Sequence, residues 1–307
     1  VPTKRILEPS CGLLNFKSYA PAETIAGSKF TAVEIDPLTA RIAEKVHTDA
    51  SVINAGLEDA KLADNFYDVA ISNVPFGEYK VYDSDHPRWT DNIHNYFFKK
   101  SLEKIKPGGV IGFVTSSHTL DAQNDSVRKA IAEQAHFMGA VRLPTSTFEK
   151  NTQTQVMTDI IFLQKKGDFE PSYTPKEFIK TASVEAQLLT SKPVIANGEE
   201  FSPGEPVPAT INEYFKNHPD QIIGDLGMTT SQFGVELTVR GQETSFENLE
   251  QLIDEGLGRL PVNVAMPSAS KKSPSVEEVN EAQEQQRLGG EADDLMPGSI
   301  FYNEETG

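Results

Sequence analysis

The sequence predicts an α/β fold built on a doubly wound, seven-stranded, mostly parallel sheet. Strand and helix signals alternate through the first half of the chain, the pattern of parallel strands joined by helical crossovers. Clear helix start and stop signals separate several of the strands. After Lys166 the alternation fades, so we expect the whole sheet to lie in the first half.

The predicted elements follow one another from the N-terminus. Short apolar runs predict strands at Arg5–Leu7, Phe30–Ile35, Ser51–Asn54, Asp68–Ser72, Val110–Thr115, Gly139–Arg142 and Met157–Gln164. Helices are predicted at Pro37–Val46, Ile93–Ile105 and Asn124–Ala135. Asp36 is a good N-cap for the first helix, and Lys106-Pro107-Gly108-Gly109 is a stop signal for the second. The last two strands are too close for a helical crossover, which predicts an antiparallel pair at the sheet edge.

The second half of the chain predicts much less regular structure. Prolines punctuate it, and short helices are expected only near Tyr214-Phe215 and at Phe246–Ile253. We therefore expect a domain at residues 1–166 and an acidic, irregular extension with short helices at residues 167–260. Residues 261–307 are interpreted as a linker, with one polar helix opened by a capping box at Ser275, and the start of a truncated following segment.

Composition excludes several classes of protein. The formal net charge is −17, but residues 1–166 carry 19 Lys and Arg against 20 Asp and Glu, so the acidity lies in the second half. Neither half is a basic nucleic-acid footprint, and any DNA contact must be local. Cys11 is the single cysteine, so there is no disulfide framework and no cysteine-based metal site. No apolar run approaches the roughly 20 residues of a membrane span, and a cytoplasmic protein without a membrane partner is predicted.

The most informative segment is Asn73-Val74-Pro75-Phe76, which follows a predicted strand. Ligands bind at the carboxyl edge of such sheets. The Asn73 side-chain oxygen and the Val74 carbonyl offer acceptors for an exocyclic amine, and Phe76 offers a stacking face for its ring. The alternative for this tetrapeptide alone is an ordinary turn in which Asn73 bonds to its own backbone.

Other strand ends supply further candidates. Gly12 follows the first strand after Glu8 and lets the backbone approach a ligand. Glu34 ends the second strand, where an acid can accept both hydroxyls of a ribose. A solvated strand-end charge is the alternative for Glu34. Leu57, after the third strand, can pack on an adenine ring but is equally a core residue.

Taken in order, these motifs resemble those of the S-adenosylmethionine-dependent N6-adenine DNA methyltransferases. The sequence is similar in particular to a subgroup embedded in large helicase-methylase proteins of phages and conjugative elements. The motifs that carry the resemblance are Glu8-Pro9-Ser10-Cys11-Gly12, Val33-Glu34-Ile35-Asp36-Pro37, Asn73 to Gly77, Ile93 to Phe98, Lys106 to Val110, Val141 to Pro144, Thr158 to Gln164 and Tyr214-Phe215 with His218-Pro219 before Gly224. They span about residues 4–260.

The resemblance implies a Rossmann-like methyltransferase fold and a role for each matching residue. Glu8 and Gly12 would line the methionine part of S-adenosylmethionine, Glu34 would hold its ribose, and Ile35 and Leu57 would flank its adenine. The motif Asn73-Val74-Pro75-Phe76 would be catalytic and would bind a flipped adenine of DNA. A helicase-like region would be covalently continuous with this domain.

Two departures from the family pattern bear on activity. Leu14 stands where the family has a second glycine, and its side chain is expected either to crowd the carboxylate end of the cofactor or to change the turn. The chain begins almost at the first strand, which predicts a fragment of a longer polypeptide. A catalytically inactive nucleic-acid-binding or scaffold module is therefore the alternative function. Methylation of another planar amine or amide, such as a glutamine side chain or an RNA base, is a third.

The six histidines show no metal-ligand spacing, so no metal is expected. His94 is interpreted as a packed or solvated residue of a helix. Trp89, in the loop after the catalytic strand, is interpreted as a loop anchor more readily than as a DNA contact.

Overall fold

The computed structural model describes residues 4–148, 156–167, 176–196, 198–231, 234–241 and 246–260. Within these ranges the strands form a seven-stranded sheet, a four-stranded sheet and a two-stranded hairpin. No helix in these ranges has the length and apolar character needed to cross a membrane. The predicted linker at residues 261–307, with its polar helix, lies outside the described residues.

The seven predicted strands are confirmed and form one sheet. They are β1 (Arg5–Glu8), β2 (Lys29–Glu34), β3 (Ala50–Asn54), β4 (Tyr67–Asn73), β5 (Ile105–Ser116), β6 (Ala135–Arg142) and β7 (Thr158–Lys165). Their order in the sheet is β3-β2-β1-β4-β5-β7-β6, and every strand is parallel to its fellows except β7. The predicted antiparallel pair is confirmed as β6 with β7. The edge strand is β6, because β7 inserts beside β5.

Helices connect these strands. They are α1 (Asn15–Tyr19), α2 (Ala22–Ile25), α3 (Pro37–Val46), α4 (Ile93–Lys104), α5 (His118–Asp121) and α6 (Ser126–Gln134). Asp36 caps α3 as predicted, since its carboxylate accepts from the amides of Leu38 and Thr39 at 3.0 Å. The expected stop signal after α4 lies instead inside β5. The pairing of β4 with β5 shifts register there, so Lys106 to Gly109 form a bulge in the strand.

The expectation of an irregular extension after residue 167 is wrong for residues 181–240. The elements there are α7 (Lys176–Ile179), β8 (Thr181–Leu188), β9 (Val194–Ala196), β10 (Glu199–Phe201), β11 (Pro206–Asn212), α8 (Glu213–Asn217), a 3-10 turn (Pro219–Gln221), β12 (Asp225–Ser231), β13 (Gly234–Arg240) and α9 (Phe246–Gly258). The second sheet has the order β11-β8-β12-β13, and β9 pairs with β10. Helices were predicted at the positions of α8 and α9, and these are confirmed.

The two larger sheets share one hydrophobic core. Phe137 of β6 stacks on Phe178 of α7 with ring centroids 4.5 Å apart, and Tyr214 of α8 meets Phe137 edge-on at 4.9 Å. All three rings belong to the buried cluster that also contains the core of the first sheet. This packing joins residues on both sides of position 166. The domain boundary near residue 166 stays a prediction.

Candidate active site

Three of the predicted site residues lie at one edge of the first sheet. Glu8 is the last residue of β1, Glu34 the last of β2 and Asn73 the last of β4. Strand β1 lies between β2 and β4, and all three strands are parallel. The carboxyl ends of parallel strands meet at the same edge, so these side chains share the crevice in which such sheets bind ligands.

The turn after β1 leaves open space beside its glycine. Gly12 has a φ of +52°, and a Cβ atom built on it would meet no atom within 4 Å. The amide of Cys11 donates to the Val33 carbonyl at 2.9 Å, and the amide of Leu14 donates to the Cys11 carbonyl at 2.8 Å. A fixed backbone with an uncovered glycine is the surface that a close-fitting ligand requires.

Leu14, at the position of the family's second glycine, has a left-handed backbone. Its φ is +59° and its ψ is +44°, in the left-handed region. Its side chain is fully buried and packs in a small cluster with Cys11, Ala32 and Ala43. The expected crowding of the crevice is therefore wrong, because the left-handed backbone directs the side chain into the protein. Left-handed backbone costs a residue with a Cβ atom about 1–2 kcal/mol.

Glu34 is held in place by backbone donors. Its two carboxylate oxygens accept from the amide of Gly12 at 2.9 Å and from the amide of Asp36 at 2.8 Å. The Asn54 side chain donates to the Glu34 carbonyl at 2.9 Å, which ties β2 to β3 at this edge. Each carboxylate oxygen has a second lone pair, so the group keeps acceptor capacity for ribose hydroxyls. This fits the role that the resemblance implies.

Glu8 is a buried carboxyl with an unsatisfied atom. The residue is 1% exposed, and its Oε2 atom has no hydrogen-bond partner among the described residues. Burial raises the pKa of Glu8 from 4.5 to about 8. A buried carboxyl without a cation is costly in its charged form, and an incoming ammonium group removes that cost. The methionine part of S-adenosylmethionine carries such a group, so Glu8 fits the cofactor.

The two residues expected to flank the adenine differ in exposure. Ile35 is 70% exposed and directly follows Glu34, so its side chain is free to cover a planar ring. Leu57 is buried in the main core cluster and has almost no surface left for a ligand. The structure brings Ile35 to the crevice edge and leaves Leu57 mainly a core residue.

Asn73 presents an uncommitted amide at the end of β4. It is exposed, and its side chain has no hydrogen bond to any described residue, so the self-bonded turn does not form. The next residue, Val74, is buried, and its amide donates to the Val114 carbonyl at 3.0 Å. The half-buried Pro75 and Phe76 follow. The strand end is thus fixed while the amide group stays available to a ligand.

The segment after this motif is anchored on the outer side of α4. Asp83 is 1% exposed and accepts from the Tyr96 hydroxyl and the Lys100 ammonium, both at 2.7 Å. Trp89 stacks on His86 at 3.8 Å, with the Lys99 ammonium 4.4 Å from its ring centroid. The interpretation of Trp89 as a loop anchor is confirmed.

His94 lies inside the protein at the start of α4. It is 2% exposed, and burial, together with nearby His118, lowers its pKa to about 4. A packed or solvated residue was expected at this position, and the burial shows that His94 is packed. Among the described residues no group of three or more His, Cys, Asp and Glu side chains is arranged to hold a metal ion.

The sequence reading missed a buried charge cluster at the same edge of the sheet. Arg142, the last residue of β6, forms two hydrogen bonds to Asp159 at 2.8 and 2.9 Å and an ion pair with Asp121 at 2.9 Å. Its guanidinium also lies 4.2 Å from the ring centroid of Phe215. The sequence signal for this cluster is an Arg and an Asp inside two otherwise apolar strands, β6 and β7.

Comparison with known proteins identifies the family of the chain. The family model described as N-6 DNA Methylase matches residues 19–186. Defense against restriction protein B of Escherichia phage P1 is 32% identical over 165 residues, which is 52% of this chain and 7% of that protein. The chain therefore spans only a small part of that relative's length.

Two solved structures match parts of this chain. One, described as a class I S-adenosylmethionine-dependent methyltransferase of Listeria monocytogenes, has a TM-score of 0.46 and 20% identity, with 57% of each chain covered. The other, described as a modification subunit of a type I restriction enzyme of Vibrio vulnificus, has a TM-score of 0.45 and 16% identity. It covers 81% of this chain and 57% of its own. At these values neither likeness assigns an activity.

Proposed function

Because the chain belongs to the N-6 DNA methylase family, whose cofactor is S-adenosylmethionine, we propose that it methylates the N6 amine of adenine in DNA. Family membership bears out the resemblance predicted from the sequence. The acceptor, the atom methylated and the residues that act on it are the proposal.

The exposed, uncommitted amide of Asn73 carries this proposal. It lies at the end of β4, next to the strand that ends in Glu8 and one strand further from Glu34. A ligand that reaches from Glu34 across Glu8 therefore ends beside Asn73. The order of the three residues along the sheet edge matches a ribose at Glu34, a methionine part at Glu8 and the target amine at Asn73.

The residues of the motif act by positioning and electrostatics. The Asn73 side-chain oxygen and the Val74 carbonyl accept the two hydrogens of the target amine, which is otherwise flat because its lone pair is delocalised into the ring. Fixing both hydrogens lets the nitrogen become tetrahedral, and this stabilisation requires no strong base. When bound, the cofactor supplies an electrophilic methyl group. The extra proton of the methylated amine passes to solvent after transfer.

The cofactor is held by the residues of the neighbouring strands. Glu34 accepts hydrogen bonds from the ribose hydroxyls, Glu8 accepts from the methionine ammonium, and Gly12 allows close approach of the backbone. Ile35 covers the adenine ring. None of these groups exchanges a proton with the target base.

The target adenine must leave the DNA helix to reach Asn73. A base inside a duplex is not accessible, and enzymes that modify bases turn them out of the stack. Phe76 directly follows Pro75 and offers a ring on which the extruded base stacks. The resemblance also implies a helicase-like region in the same polypeptide, which would supply an opened strand.

The inactive-module alternative loses one of the two observations behind it. The Leu14 side chain packs in a buried cluster with Cys11, Ala32 and Ala43, which speaks against crowding of the cofactor. Methylation of a glutamine side chain or an RNA base would use the same two hydrogen-bond acceptors, those of Asn73 and Val74. Comparing DNA, RNA and peptide substrates in the experiment below distinguishes these reactions.

The test is transfer of a tritiated methyl group from S-adenosylmethionine to defined oligonucleotides. We expect label on DNA that contains adenine, and none on matched DNA in which purine, which lacks the exocyclic amine, replaces every adenine. Matched RNA and a glutamine-containing peptide complete the substrate set. Equal labelling of the purine-substituted DNA, or label only on RNA or peptide, would refute adenine-N6 transfer.

A further inference from the structure

Two exposed tyrosines follow the catalytic motif almost directly. Tyr79 is 57% exposed and Tyr82 is 76% exposed, and Lys80 between them is also exposed. Large aromatic side chains usually bury much of their area, so two rings left in solvent a few residues from Phe76 are an available contact surface.

The backbone that carries these rings is fixed. The amide of Ile93, the first residue of α4, donates to the Tyr79 carbonyl at 3.0 Å. The Tyr79 ring lies against Gly77, because a Cβ atom on that glycine would be only 3.0 Å from the ring. Tyr82 immediately precedes Asp83, which is anchored to Tyr96 and Lys100. Rings on a fixed backbone lose little entropy when a ligand orders them.

The chemistry of this surface favours stacking over charge. Lys80 and Arg88 offer two exposed cations, while Glu78 and Asp85 in the same segment are exposed acids. These acids offset any attraction for a phosphate backbone. Aromatic rings bind nucleobases of any sequence through their π-faces, and this is how unpaired strands are commonly held.

We propose that Tyr79 and Tyr82 form a stacking platform for unpaired nucleotides beside the target base. This inference rests on the proposed function and goes beyond it, since it assigns the neighbouring bases of the strand to two residues outside the catalytic motif. The partner is single-stranded or locally opened DNA, held through its bases.

The experiment measures binding of a fluorescein-labelled single-stranded oligonucleotide by anisotropy, in the presence of sinefungin as a non-reactive cofactor analogue. We expect Tyr79→Ala and Tyr82→Ala each to weaken binding by about fivefold or more, within the range known for base–aromatic stacking. Tyr79→Phe and Tyr82→Phe keep the ring and should bind as the wild type does. Tyr19→Ala, which removes a tyrosine that is 86% exposed on α1, is the matched control.

A second oligonucleotide with abasic sites on both sides of the target separates stacking from a structural effect. With it, the wild type and the two alanine variants should bind equally. Unchanged affinity of both alanine variants for the intact strand would overturn the platform, as would an equal loss on the abasic strand.

Failure of this inference is distinguishable from failure of the proposed function. If the wild type methylates adenine while the alanine variants bind normally, only the platform is wrong. If the variants lose affinity for the intact strand but no adenine is methylated, the platform stands and the assigned reaction fails.

Discussion

The backbone amide of Gly12 donates a 2.9 Å hydrogen bond to the side-chain carboxylate of Glu34. This bond joins the turn after β1 to the end of β2. The residue proposed to hold the ribose therefore also fixes the glycine proposed to face the methionine part. In the ligand-free protein this hydrogen bond already joins the two residues proposed for opposite ends of the cofactor.

Replacing Glu34 should therefore weaken cofactor binding strongly. We expect Glu34→Ala to cost about 1.5–3 kcal/mol of binding free energy, the loss expected for hydrogen bonds to a charged acceptor. Isothermal titration calorimetry with S-adenosylmethionine measures this, with Glu23→Ala, an exposed acid on α2, as the control. Equal affinity of Glu34→Ala and wild type would remove Glu34 from the site.

Replacing Leu14 should change stability and leave cofactor affinity nearly unaltered. Leu14→Ala creates a cavity in a buried cluster and is expected to cost about 2–4 kcal/mol. Leu14→Gly relieves the strain of the left-handed backbone, so it should be more stable than Leu14→Ala by about 1 kcal/mol. Urea denaturation gives both values. An alanine variant more stable than the glycine variant contradicts the left-handed conformation.

Changes in the catalytic motif should separate chemistry from cofactor binding. Asn73→Ala removes an acceptor for the target amine, so methyl transfer should be abolished while S-adenosylmethionine binds as before. Phe76→Ala should cost about 1–3 kcal/mol in engagement of the turned-out base. Tritium transfer and calorimetry on the same preparations check both effects. Full activity in Asn73→Ala would mean that the pocket lies elsewhere.

The buried pair of Asp83 and Lys100 should show strong coupling in stability. Asp83→Asn or Lys100→Met breaks the buried ion pair from one side, which costs about 3–5 kcal/mol. The double variant should lose much less than the sum of the two single losses. The exposed pair of Asp125, which directly precedes α6, and Lys129 of α6, 2.8 Å apart, is the matched control and should couple by about 0.5 kcal/mol or less. Additive losses at Asp83 and Lys100 would contradict the buried pair.

Glu8 should make the stability of the cofactor-free protein pH-dependent. Its pKa is raised to about 8 in the folded chain, from 4.5, so the folded state holds the proton more tightly than the unfolded state. The free energy of unfolding should therefore fall as the pH rises from about 5 to about 8, and this component should be absent in Glu8→Gln.

Cofactor binding gives a second readout of Glu8. At pH 7 an incoming ammonium should expel the Glu8 proton, and titration in buffers of different ionisation enthalpy measures that release. The difference between wild type and Glu8→Gln isolates the contribution of this residue from that of the ligand. Identical proton release in both proteins would show that Glu8 does not meet the cation.

The first sheet was predictable because each of its strands is locally marked. Apolar runs such as Val110–Thr115 are buried on one face and half-buried on the other, and turn signals bound them. Sheet topology then brings Glu8, Glu34 and Asn73 together, since residues that end parallel strands meet at one edge. Position along a strand was enough for these three residues.

The second sheet was missed for a physical reason. Pro206 and Pro208 argued against a strand, but β11 lies at the edge of its sheet, where a missing amide donor is tolerated. Its partner β8 is half solvated and lacks a continuous apolar run. The direction of the Leu14 side chain was missed because it depends on a backbone angle that no sequence pattern around Leu14 reveals.

The charge cluster around Arg142 couples the unfolding of the first sheet to that of the second. Arg142 belongs to the first sheet, yet it contacts Phe215, and Asp121 accepts the amide of Asn212 at 2.8 Å. Unfolding of the second sheet and its helices would expose both the buried Arg142 guanidinium and the Phe137 ring to solvent. The two sheets should therefore melt in one cooperative calorimetric transition, and a chain cut at residue 166 should not persist as an independent folding unit.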